Sequence, residues 1–309
     1  MKKKVIFELN SLYRESLRIK GYQFGEGEQT VCIVGATRGN EVQQVYVCSQ
    51  LVKRLKELED QGKISENKSI MVIPSINPYS MNTQKRFWPT DNTDINRMFP
   101  GYYLGETTQR IASGIFEQIN RYKFGIQFAS FYIPGKFIPH VRMLKTSYEN
   151  VDAAKEFGLP YIMLRTPKPY DTTTLNYNWQ LWGTQAFSVY TCETDKIDEE
   201  SALQAENAVL NFLDVNGIVE YKGHRGYISD VIEGKDLITV KPHNGGLFMP
   251  LKNINDSVEK GDVLANILHP FEGEIIEEIK SPVDGTVFFS HSSNLCNEHS
   301  LLFRIIQNS

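Results

Sequence analysis

Histidine is scarce in the part of this chain where a site would form. Of six histidines in 309 residues, only His140 precedes residue 219. A centre that needs two imidazoles therefore cannot be assembled from the first two thirds of the sequence. Cysteine is also thin: Cys32, Cys48, Cys192 and Cys296 are scattered without a C-x-x-C pair. That pattern reads as reduced thiols and points to a cytoplasmic protein. No apolar run approaches the ~18 residues that a membrane span requires. Met1 to Leu9 opens like a secretory leader, but its apolar stretch is short and Glu8 interrupts it, so no signal peptide is expected. Neither sign of charge dominates, with a net charge of −4. No basic or aromatic patch is present either, so nucleic acid is not an expected partner, and nothing suggests a membrane.

What is present is alternation. Hydrophobic content of 41% and charged content of 23% are ordinary for a globular protein, and the length exceeds what one core usually supports. Val31–Val34 reads as a buried strand. From Glu41 a long helix follows, with Val45, Cys48, Leu51, Val52, Leu55 and Leu58 on one face. Further strands are expected within Ser69–Pro78 and over Phe124–Ser130, Tyr161–Leu164 and Ala186–Thr191. Helices are expected over Thr107–Arg121, Val151–Phe157, Thr172–Gln185 and Glu199–Asn216. Such alternation indicates an α/β domain with a parallel or mixed sheet covered on both faces. Near Ile218 the grammar changes to short β-branched runs with Gly and Pro, the pattern of a small all-β domain. The expected division is residues 1–217 and 218–309.

A strand, a glycine-bearing turn and a helix place Glu41 at the carboxyl end of a strand, where open α/β sheets hold their sites. The turn itself, Arg38-Gly39-Asn40-Glu41, resembles the H-G-x-E turn of the succinylglutamate desuccinylase/aspartoacylase family, relatives of the zinc carboxypeptidases. In that family the histidine and glutamate are zinc ligands. Here the glycine and glutamate match and the histidine is an arginine. The resemblance implies a zinc-carboxypeptidase-like mixed sheet followed by a barrel-sandwich β domain. In agreement, Val258–Leu268 and Ile279–Phe289 resemble the hammerhead of biotinyl and lipoyl carrier domains. No lysine lies between Leu264 and Lys280, so a swinging-arm role is rejected.

Three other stretches carry the resemblance. Asn77–Gly101 contains Asp94-Ile95-Asn96-Arg97 followed by Phe99-Pro100-Gly101, similar to the family's D-L-N-R-x-F-P-G. It implies that Asn96, Arg97 and an upstream arginine, Arg86, bind the substrate carboxylate; a planar guanidinium suits that task because it offers two parallel donors. Phe124–Ala129 sits where the family carries its third zinc ligand in D-L-H, but Gln127 replaces the histidine and Gly125 the aspartate. A glutamine amide is a poor zinc ligand. Tyr190–Asp195 resembles the family's T-x-E segment, which makes Glu193 the counterpart of its general base. His140 matches a family position that is not a ligand and is expected to be packed or hydrogen-bonded.

Zinc, the cofactor the resemblance implies, would thus keep only Glu41 of its expected ligands, and no metal is expected. Arg38, Glu41 and Gln127 are assigned to a former metal site, with Arg38 expected to point inward and pair with Glu41, Glu193 or both. Three functions stay open. One is a metal-free binder of a small carboxylate or N-acyl amino acid, acting alone, as a homo-oligomer or beside an active paralogue. The second is a working zinc amidohydrolase whose ligands are completed by the β domain or a partner chain. The third is a metal-independent enzyme using Glu193.

Overall fold

The structure, a computed structural model, describes residues 1–10 and 15–308. The chain forms two compact units. One comprises residues 1–130 and 139–231, the other residues 131–138 and 232–309.

In chain order the first unit contains β1 (Lys2–Leu9), β2 (Leu17–Phe24), β3 (Glu28–Ala36), α1 (Val42–Asp60), β4 (Lys68–Ser75), α2 (Pro78–Met81), α3 (Thr107–Ile119) and β5 (Phe124–Ala129). A short strand β6 (Gly135–Phe137) lies in the second unit. The first unit then continues with β7 (His140–Leu144), α4 (Val151–Lys155), β8 (Tyr161–Arg165), α5 (Leu175–Leu181), β9 (Gln185–Tyr190) and α6 (Glu199–Val215); β10 (Asp230–Glu233) runs across the boundary. The sheet order is β1-β2-β4-β3-β5-β9-β7-β8-β10. β3 pairs parallel with β4 on one side and β5 on the other. The connections that follow β3 and β4 thus lead to opposite sides of β3, and its carboxyl end is the kind of switch point at which open α/β sheets place their sites.

Alternation along β3 shows why both sheet faces are covered. Val31 and Ile33 join one core with Val47, Leu51 and Leu55 of α1 and Val209 and Leu213 of α6. Cys32 and Val34 join a second core with Ile111 and Ile115 of α3 and Leu175 and Trp179 of α5. Burying a side chain such as Leu51 contributes about 2 kcal/mol. The helix face read from spacing is rotated slightly: Val47 is fully buried, whereas Val45 and Val52 are half-buried. Gln43 and Gln44 are buried in the first turn, where polar work is needed. Gln43 Nε2 donates to Asp198 O at 2.9 Å and Gln44 Nε2 to Ala129 O at 3.3 Å. These bonds tie the end of β5 and the start of α6 to the start of α1.

Sequence periodicity missed β1, β2 and β7. β1 is an outer strand, largely exposed and carrying three lysines, a composition that protects an open sheet edge. β7, HVRML, is wholly buried yet holds a histidine and an arginine, so it lacks an apolar signature. The helix expected over Thr172–Gln185 is shorter, covering only α5.

The domain boundary expected at 217/218 is displaced to 231/232. Ile218 and Val219 are buried in the α1/α6 core, and Val219 bridges to Ile64. His224 accordingly belongs to the first unit. The second unit also takes β6 from the middle of the sequence: Phe137 pairs with Phe289 and Gly135 with His291. Its remaining strands are short and antiparallel, around a core that includes Phe248, Leu264, Ile267, Leu302 and Phe303. Among its described residues the helical content is a single 3-10 turn, Gly234–Asp236. Among the described residues no helix is long and apolar enough to cross a membrane.

Candidate functional site

The turn after β3 is tightly built. A Cβ on Gly39 would lie 2.3 Å from Ser80 C and 2.4 Å from Lys85 O, so only glycine allows this approach. Glu41 occupies the N-cap position of α1, yet its carboxylate does not cap the helix. It turns back instead. Its Oε2 accepts from Thr37 N at 2.7 Å, Arg38 N at 3.0 Å and Thr37 Oγ1 at 3.2 Å. Its Oε1 accepts from Arg38 Nη1 at 2.9 Å and from Ser130 Oγ. Glu41 is 1% exposed.

Arg38 is buried as well and points inward. Besides Glu41 it donates to Ser130 Oγ at 3.3 Å, and its Nε and Nη2 reach Asp94 Oδ2 at 3.0 and 2.9 Å. Asp94 is the carboxylate that sequence reasoning left without a role. The signal was an acid standing between Arg86 and Arg97 in a stretch otherwise read for its arginines. Arg86 Nη2 also donates to Asp94 Oδ2, at 3.3 Å. Burial would raise the Asp94 carboxyl, but Arg38, followed by Arg86 and Arg97, holds it below the usual range. Burial opposes the charge on Arg38; Glu41 and Asp94 outweigh it and hold the guanidinium more firmly protonated than usual. Arg86 moves the other way, lowered by burial and by the nearby Arg38 charge.

Asn96 is buried, and its Oδ1 accepts from Leu175 N at 3.0 Å at the start of α5. It thereby fixes the loop against the helix. Arg97 Nη1 donates to Asn96 O at 2.8 Å and remains partly exposed. Gln127, buried in β5, stands in register with Val34 and Ser188. Gly125, two residues earlier, faces Trp179: a Cβ there would meet the indole at 2.6 Å. Glu193 is buried beyond the end of β9, and the adjacent Thr194 O accepts from Gln43 N at 3.3 Å, which anchors this segment to the first turn of α1. His140 is fully buried, stacked on Tyr190 with centroids 4.8 Å apart, and its Nε2 lies 3.3 Å from Arg142 Nη2. Among the described residues no three His, Cys, Asp or Glu side chains gather in a group able to hold a metal ion.

The arrangement is therefore an electrostatic cluster. Three guanidiniums, Arg38, Arg86 and Arg97, act on Asp94, and Glu41 adds a second carboxylate. Among these five side chains one positive charge is in surplus.

The profile of the succinylglutamate desuccinylase/aspartoacylase catalytic domain matches residues 27–216. The chain belongs to this family. A curated relative, the N-alpha-acetyl-L-2,4-diaminobutyric acid deacetylase of Halomonas elongata, is 30% identical over 88 residues; the match spans 28% of this chain and 24% of that protein. Among solved structures, the product-bound ectoine utilization protein EutE (DoeB) of Ruegeria pomeroyi superposes with a TM-score of 0.81 at 18% identity, covering 97% of this chain and 93% of that one. A succinylglutamate desuccinylase from Silicibacter sp. TM1040 gives a TM-score of 0.79 at 18% identity, covering 94% and 90%. An aspartoacylase family protein of Mesorhizobium loti gives 0.74 at 23% identity, covering 96% and 91%. At these identities the structural likeness speaks for the fold.

Proposed function

We propose that this protein is a pseudoenzyme of the deacylase family: a cytoplasmic binder of a small carboxylate or N-acyl amino acid that works without a metal ion at Glu41. The observation that carries this reading is the buried ion pair between Arg38 Nη1 and Glu41 Oε1 at 2.9 Å. Zinc in a catalytic site takes three protein ligands and keeps one open position. The residues here do not fit that demand. Both oxygens of Glu41 already accept hydrogen bonds, and a fixed guanidinium lies against one of them. Arg38 would repel a divalent cation, and Gln127 offers only a weak amide donor. Glu193, matched to the family's general base, would then have no metal-activated water to act on.

The surplus positive charge around Asp94 favours an anion, and Arg86 and Arg97 are the partly exposed members of the cluster that a ligand carboxylate can reach. The relative from Halomonas elongata is named for an N-acetylated amino acid, which supports the same ligand class. A non-catalytic partnership with an active paralogue is compatible with this chemistry.

The test combines elemental analysis of the purified protein with amide-hydrolysis assays on N-acetyl amino acids, with and without added zinc and chelator. Expected are no stoichiometric zinc, no turnover and a rise in melting temperature with N-acetyl-L-aspartate. Arg97→Ala should abolish that rise. Robust chelator-sensitive turnover by the isolated chain would overturn the reading.

A further inference from the structure

Asp94 Oδ2 accepts from Arg38 through Nε and Nη2, and from Arg86 at the longer distance of 3.3 Å. Its Oδ1 is held by Asn96 N at 3.0 Å. The shorter contacts belong to the residue that cannot reach a ligand. The Arg38 side chain is 5% exposed, and its nitrogens are aimed at Glu41, Ser130 and Asp94. The Arg86 side chain is 24% exposed and Arg97 is half-buried, so these two face the accessible side. Without Arg38, two guanidiniums would meet two carboxylates, and no charge would be left for an anion.

We propose that Arg38 sets the anion affinity of the site from behind, as a buried positioning cation that never touches the ligand. It neutralises Glu41 and takes the shorter contacts to Asp94, leaving Arg86 the longer one at 3.3 Å. Arg86 and Arg97 then keep uncompensated positive charge for a ligand carboxylate. This role rests on the carboxylate-binding reading above and adds a residue that contact with the ligand would never reveal. Glu41 becomes the opposing setting: removing its charge raises the surplus, and removing both charges restores the original balance.

The experiment measures the Kd of N-acetyl-L-aspartate by calorimetry at one fixed, low ionic strength. The proteins are the full chain, Arg38→Met, Arg38→Lys, Glu41→Gln and the double variant Arg38→Met with Glu41→Gln. Loss of one nearby unit charge should weaken binding to Arg38→Met on the order of tenfold. Arg38→Lys keeps the charge and should stay close to the parent, although it loses the forked geometry. Glu41→Gln should bind more tightly, and the double variant should return to within roughly threefold of the parent by the same charge balance. A purely structural Arg38 would make Lys and Met equally damaging and would leave the double variant as weak as the single one. Either result overturns the proposal, as does an unchanged Kd in Arg38→Met. If Arg38→Met does not fold, Glu41→Gln and the charge-balanced double variant decide. Failure of the parent chain itself to bind the probe would be a different outcome, for it removes the carboxylate-binding reading.

Discussion

The two units solve opposite problems. Around Phe248 and Phe303 the β unit buries apolar side chains against one another, and its strands are held by sandwich packing. At the end of β3 and β5 the α/β unit buries Thr37, Arg38, Glu41, Asn96 and Gln127, groups that water would have solvated better. The first kind of burial is favourable by itself. The second persists only because each charge has a partner, since an uncompensated buried charge is strongly destabilising. The difference teaches where the chain has been shaped for something other than stability. It also separates the two regions by their response to conditions, because apolar packing is insensitive to pH and a buried carboxylate is not.

Three measurements would sharpen or break that contrast. The largest effect is expected in the β unit: Leu264→Ala should lower unfolding free energy by about 3 kcal/mol, as large-to-small changes in a packed core do. The loss, read from denaturant midpoints, should be the same at pH 5 and pH 8. A loss that varied strongly with pH would blur the distinction between the units. Next comes the floor beneath the site. Gly125→Ala drives a methyl to within 2.6 Å of the Trp179 ring, and overpacking of this sort should destabilise by about 2 kcal/mol. A neutral result would mean that α5 slides freely over β5. The smallest effect concerns Asp94. Its folded-state pKa lies below the unfolded value, so its contribution to stability is present above the unfolded pKa and is lost as pH falls through the folded one. Thermal melts between pH 6 and pH 3 should therefore decline less steeply in Asp94→Asn than in the parent. Equal slopes would place the acid sensitivity in other carboxylates.

Much of the framework was legible from periodicity. The strand at Val31, the helices α1, α3 and α6, and the passage to short strands after the α/β region follow from where apolar residues recur. Two of the misses share a cause. β1 and β7 are strands whose residues answer to an edge or to a polar interior, so they carry no apolar alternation. β6 is short, and its place is set by pairing with a strand about 150 residues later, which local pattern cannot report. In the site, the Arg38–Glu41 contact was accessible because the two lie three residues apart in one turn. Asp94 and Ser130, which complete the cluster, stand 56 and 92 residues from Arg38 in sequence.

By itself, then, the sequence determined the kinds of groups available. It supplied one histidine before residue 219, an arginine in the H-G-x-E position and the acid-asparagine-arginine run of the second loop. It also determined that strands and helices would alternate, since that follows from spacing along a single segment. Only the tertiary structure decided that Asp94 is the second partner of Arg38 and that Asn96 Oδ1 holds the start of α5. The physical reason is that burial and charge pairing depend on distances between segments. Those distances are set by sheet order and helix packing, and one stretch of sequence carries no record of them.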